Sequence, residues 1–93
     1  MRFGNLINFM HRLQYLVLRS DICDSVSFGA DDENRRMEIV FRCKESYALG
    51  VSANDYIMRS VSYDDLSAED FDPRGTANWL MNDIEKLYKG EEK

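Results

Sequence analysis

Five carboxylates stand within nine positions of the stretch SYDDLSAEDFDPRG: Asp64, Asp65, Glu69, Asp70 and Asp72, with no basic residue before Arg74. Carboxylates at this density can hold a divalent cation, start a helix, or present negative charge to a basic partner. An EF-hand loop beginning at Asp70 needs acids at its first, third and fifth positions, glycine at the sixth and glutamate at the twelfth. Asp70, Asp72 and Gly75 fit, but Arg74 and Met81 occupy the fifth and twelfth positions, so calcium binding by this motif is excluded. Nothing else in the sequence supports a magnesium site at Asp64 and Asp65, and no metal or cofactor is expected.

Helix starting accounts for part of the run. Asp72 before Pro73 is a helix N-cap followed by a first-turn proline, Ser67 with Asp70 suits a short helical turn, and acids ahead of a helix are favoured by its dipole. Asp64, Asp65 and Glu69 are not required by capping, and their mutual repulsion costs stability unless something cationic offsets it. A second acidic segment, Asp31, Asp32 and Glu33, lies earlier in the chain. The two segments hold eight of the 17 acids, leaving nine against 12 bases. The net charge of −5 is therefore local, and direct binding to a phosphate backbone is disfavoured.

Catalytic chemistry finds little to work with. The only histidine, His11, falls at the border of an amphipathic helix, and no Ser, Cys or Asp is tied to it by a recognised spacing. Cys23 and Cys43 lack metal-ligand spacing and read as ordinary strand cysteines. Gly29, Gly50 and Gly75 are isolated and form no phosphate-cradling loop. The chain is not expected to be an enzyme.

The elements that must position these residues follow from periodicity. NLINFMHRLQYLVLR, residues 5–19, places Leu6, Phe9, Met10, Leu13, Leu16 and Val17 on one helical face. Alternation then predicts a hairpin, with Ile22, Val26 and Phe28 in one strand, Met37, Ile39, Phe41 and Cys43 in the next, and DDEN (31–34) at the turn. Pairing Phe28 with Met37 and Val26 with Ile39 puts Ile22 opposite Cys43 and turns Cys23 to the other face, which argues against a Cys23–Cys43 disulfide. A third strand is predicted around Tyr47, Leu49 and Val51, and a fourth carries Ile57, Val61 and Tyr63 inward, although Ser52 and Asp55 in the SAND loop are also spaced like a helix capping box. The last helix runs over 73–89, with Ala77, Leu80, Ile84, Leu87 and Tyr88 as its stripe and Met81 at the edge. Trp79 projects from the opposite, polar side: either it packs on the 64–72 loop or the first helix, or it anchors a partner.

The chain has 93 residues, enough for one domain and one modest core. The expected fold is α+β: an N-terminal helix, a three- to four-stranded antiparallel meander sheet and a C-terminal helix, in two layers with both helices on one sheet face. Ser25, Ser27, Glu38, Val40 and Arg42 then belong to a solvated outer face, and residues 90–93 form a frayed tail. The longest apolar run, Tyr15 to Leu18, is far short of the roughly 20 residues that cross a bilayer, so a cytoplasmic location is expected.

In architecture, with NLINFMHRLQYL first, the acid-tipped VSFGADDENRRMEIVF next and the acid-rich segment before the last helix, the chain resembles some phage-encoded anti-CRISPR proteins. That resemblance implies inhibition of an RNA-guided nuclease by covering a DNA-binding surface, and it transfers no functional residues. The expected role is a small acidic inhibitor that presents Asp64, Asp65, Glu69, Asp70 and Asp72, with Asp31, Asp32, Glu33 and Trp79, to a basic protein surface. Two alternatives stand beside it: an immunity protein or antitoxin that neutralises a basic toxin, and a structural or adaptor module. The sequence leaves open whether the chain is a monomer or a dimer.

Overall fold

The computed structural model describes residues 3–44 and 56–89. Helix α1 spans Phe3–Leu18, strand β1 Cys23–Asp31, β2 Arg36–Cys43, β3 Tyr56–Ser62, helix α2 Tyr63–Ser67 and helix α3 Pro73–Lys89. The strands form an antiparallel sheet in the order β1-β2-β3, and α1 and α3 pack on one of its faces, giving the expected α+β arrangement. The edge of β2 away from β1 is taken by β3. The strand expected at 47–51, the SAND loop and the tail at 90–93 lie outside the described residues.

The core forms where the two periodicities meet. On α1, Phe9, Leu13 and Val17 recur every fourth residue and are buried; on α3, Ala77, Leu80, Met81 and Ile84 are buried along one helical face. They close on Met37, Ile39, Phe41 and Cys43 of β2 and Ile57 of β3. Full burial of side chains of this size contributes roughly 1.5–3 kcal/mol each, which is what holds the layers together. Between the helices, the Arg12 Nε donates to Asn78 Oδ1 at 3.2 Å. On the other sheet face Ser25, Ser27, Arg42, Met58 and Ser60 are exposed, as the small polar pattern predicts.

Two details of the hairpin differ from the sequence expectation. Phe28 faces Ile39 and Val26 faces Phe41, while Met37 pairs with Ala30, a shift of two residues that keeps every side chain on its face. The cause is a turn placed one residue later, at 32–35: the Asp31 carboxylate accepts from the Asn34 backbone N–H at 3.3 Å and from Asn34 Nδ2 at 2.9 Å, and Arg35 takes the left-handed φ of 55°. The ladder therefore runs on to Asp31 and Arg36. At the other end a bulge between Cys23 and Ser25 rotates the chain, so that Cys23 stands opposite Cys43 on the core face, where both are buried free thiols. The expectation that Cys23 faces away is corrected by that one extra residue.

β3 carries a polar exception on its core face. Arg59 alternates with Ile57 and Val61, and its Nε and Nη2 both reach Asp83 Oδ2 of α3 at 3.1 Å. The guanidinium thus ties β3 to the helix above it. β3 ends one residue sooner than its alternation predicts, because the Ser62 hydroxyl accepts from the Asp65 backbone N–H at 3.0 Å and starts α2. The short helical turn expected at Ser67 and Asp70 falls instead at Tyr63–Ser67.

Candidate partner-binding surface

The hairpin loop and α2 come together at one end of the molecule, which joins the two acidic segments that are about thirty residues apart in sequence. Three contacts make the junction. The Tyr63 backbone N–H donates to the Arg35 carbonyl at 2.8 Å, the Tyr63 hydroxyl donates to Asp32 Oδ1 at 2.6 Å, and Arg35 Nη2 bonds Asp64 Oδ1 at 3.3 Å. The Arg35 guanidinium also lies 6.0 Å from the Tyr63 ring centre. Asp32 and Asp64 thereby meet at Tyr63 and Arg35, and Asp31 with its partner Arg36 closes the neighbouring end of the hairpin.

These acids are not equivalent. Asp31 is half-buried and committed to the turn; hydrogen bonds from the Asn34 side chain and backbone, with Arg36 at 3.2 Å adding its charge, hold its carboxyl below the usual carboxylate range. Asp32, Glu33, Asp64 and Asp65 are exposed. The Tyr63 hydroxyl is pushed above its ordinary value, first by donating to Asp32 and then by partial burial and the surrounding negative charge, against which Arg35 acts. Asp64 and Asp65 occupy the first turn of α2, where the helix dipole favours them. Local structure thus accounts for two of the three acids that capping of the last helix left over.

The other predicted residues lie elsewhere. Glu69 and Asp70 are exposed in the loop after α2, and Phe71 turns back to meet Phe9 edge-on with ring centres 5.7 Å apart. Asp72 caps α3, accepting from the Gly75 backbone N–H at 3.1 Å, as its place before Pro73 predicts. It lines a shallow groove with His11, Arg12, Tyr15 and Arg74, apart from the hairpin loop. Trp79 is 65% exposed on α3, so the packed placement on the 64–72 loop or the first helix is corrected: its ring stands on the side turned from Ala77, Leu80 and Ile84.

Sequence reasoning missed Tyr63 and Arg35 as the residues that join the acidic segments. Tyr63 reads as an inward strand residue and Arg35 as part of a solvated tip. The left-handed backbone at Arg35 has no signal in the sequence, since glycine or asparagine is the usual occupant of that conformation.

Among the described residues no group of three or more His, Cys, Asp or Glu side chains is arranged to hold a metal ion, and no helix is long and apolar enough to cross a membrane. Burial pushes the Cys23 thiol up to about 12, with the neighbouring Cys43 adding to the effect, which is the opposite of activation. Compared with known proteins, the chain matches no protein-family model, no curated protein and no solved structure.

Proposed function

We propose that the chain is a small binding protein that sets its acidic end on a basic, phosphate-binding surface of a nucleic-acid-handling protein and thereby inhibits it. The observation that carries this reading is the meeting of the exposed Asp32 and Asp64 at Tyr63 and Arg35, with the exposed Glu33 and Asp65 next to them in the chain. Exposed carboxylates held on packed backbone can occupy the lysines and arginines that otherwise bind phosphates, and like charges gathered in one place steer a basic partner from a distance. A nuclease of a defence system and a basic toxin present the same chemistry, and either fits this role.

The test is capture of a partner from host lysate at low and high salt, by the native chain and by a variant carrying Asp32→Asn, Glu33→Gln, Asp64→Asn and Asp65→Asn. The native chain is expected to retain a basic protein at low salt and to block that protein's binding to nucleic acid. Equal retention by the neutralised variant sinks the proposal. Trp79 supports a second reading, in which the interface centres on α3, because exposed tryptophans are enriched among interface hot spots. In that case Trp79→Ala alone abolishes capture and the neutralised variant does not.

A further inference from the structure

Beside the acidic end the two layers part and leave an apolar groove of about 250 Å³. Met37 and Leu66 form its buried floor, while Leu6, Met10, Phe28 and Tyr63 stand half-buried along its walls. Ala30 explains why it is open. It pairs with Met37 on the core face of β1, where a larger side chain would complete the layer, yet it carries a single methyl and is exposed.

The rim of this groove is acidic at Tyr63, where Asp32 accepts from the hydroxyl and Asp64 follows in the chain, two carboxylates against the one guanidinium of Arg35 that bonds Asp64. The volume exceeds the roughly 150 Å³ that suffices to take up a benzene-sized group, and falls below the roughly 300 Å³ at which cofactor and drug-sized sites begin. Apolar walls of that size under a negative rim suit one apolar side chain flanked by cations.

We infer that the groove is the specificity pocket of the acidic end, and that it receives a leucine- or phenylalanine-sized side chain from a lysine- or arginine-rich segment of the partner protein. The inference rests on the reading of the acidic end above and adds to it what the partner must insert. Charge complementarity selects this occupant. A second copy of the chain would bring a like-charged rim against the first, and an anionic membrane surface would be repelled by the same carboxylates. Steering brings the segment in, and burial of the apolar side chain holds it.

Three fluorescein-labelled peptides probe the full chain by anisotropy: Lys-Lys-Ser-Leu-Ser-Lys-Lys, the same peptide with Ser for Leu, and the leucine peptide with Gln for every Lys. The leucine peptide is expected to bind roughly tenfold or more tightly than the serine peptide, and the glutamine peptide to bind no better than the serine one. Ala30→Trp fills the groove from an exposed position and is expected to erase the advantage of the leucine peptide over the serine peptide. Amide shift mapping of the native ¹⁵N-labelled chain locates the contact without any substitution, with shifts expected at Met10, Ala30, Met37 and Leu66.

Equal binding of the leucine and serine peptides, or shifts confined to the hairpin loop, overturns the pocket and leaves the acidic reading standing. Equal binding of the lysine and glutamine peptides overturns the cationic part of the assignment. Absence of binding by all three peptides at low salt overturns the pocket and the acidic reading together.

Discussion

Among the described residues Ser20 is the buried polar side chain, and replacing it by alanine should destabilise this protein. Ser20 sits where α1 hands over to β1, 6% exposed, and its Oγ accepts from the backbone N–H groups of Ile22 at 3.0 Å and Cys23 at 3.1 Å. Both donors belong to residues that are almost completely buried, so water cannot replace the lost oxygen. An orphaned buried N–H costs about 1–3 kcal/mol, and two donors that shared one acceptor relax together, so Ser20→Ala should lose about 2–4 kcal/mol. That is a large share of the roughly 5–15 kcal/mol that holds an ordinary domain folded, and it should lower Tm by about 10 °C or more. The Lys44 ammonium, which donates to the Ser20 carbonyl at 3.0 Å, is untouched by the substitution. Urea unfolding followed by circular dichroism measures the effect, with Ser27→Ala on the exposed face as a control expected to stay within about 0.5 kcal/mol. A loss for Ser20→Ala below about 0.5 kcal/mol at unchanged m-value refutes the reasoning.

Other consequences follow from the same contacts. Tyr63 should titrate above the ordinary tyrosine value when its absorbance is followed against pH, and Asp32→Asn should bring it down by removing the carboxylate to which the phenol donates; no change on that substitution contradicts the junction. Cys23 should resist iodoacetamide near neutral pH in the folded protein, because a thiol pushed to about 12 carries almost no thiolate there. Its folded value lies above the unfolded one near 9, so its contribution to stability is complete below about pH 9 and is lost as pH rises toward 12; unfolding measured from pH 8 to 11 should show the decline, and a flat profile counts against it. Phe9→Ala removes a fully buried ring and its edge contact with Phe71, and should cost about 3–5 kcal/mol in urea unfolding; a cost under about 1 kcal/mol excludes the packed position described here.

The layers of this fold were legible because burial and period coincide. Phe9, Leu13 and Val17 at four-residue spacing, and Met37, Ile39 and Phe41 in alternation, point to one face whatever the exact register. Register itself was two residues out, since it depends on how the Asp31 carboxylate captures Asn34 and on a left-handed Arg35, which alternation does not report. The bulge beside Cys23 is likewise silent in sequence, yet it decides that two thiols face one another. Arg59 shows the limit of pattern in the other direction, being a charged residue on a core face that becomes acceptable only when Asp83 arrives from α3.

For the candidate surface the lesson is sharper. Composition identified both acidic segments, but nothing local says that Asp32 and Asp64 meet. That follows from β3 pairing with β2 and ending at Ser62, which delivers Tyr63 and Asp64 to the hairpin loop. Trp79 was legible as an anomaly on a polar helix face, and its exposure needed the packing of α3 on α1 and the sheet to be decided.

The central claim is that the acidic end meets a basic partner surface, and its most direct test is the association rate constant with a captured partner as a function of ionic strength. Steered encounter predicts a fall of roughly tenfold or more as salt rises from about 0.01 M to about 1 M, where the screening length shrinks from about 30 Å to about 3 Å. The variant with Asp32, Glu33, Asp64 and Asp65 neutralised should show a slow rate with little dependence on salt. A native rate that is flat across that range, or a variant as fast and as salt-sensitive as the native chain, contradicts the account.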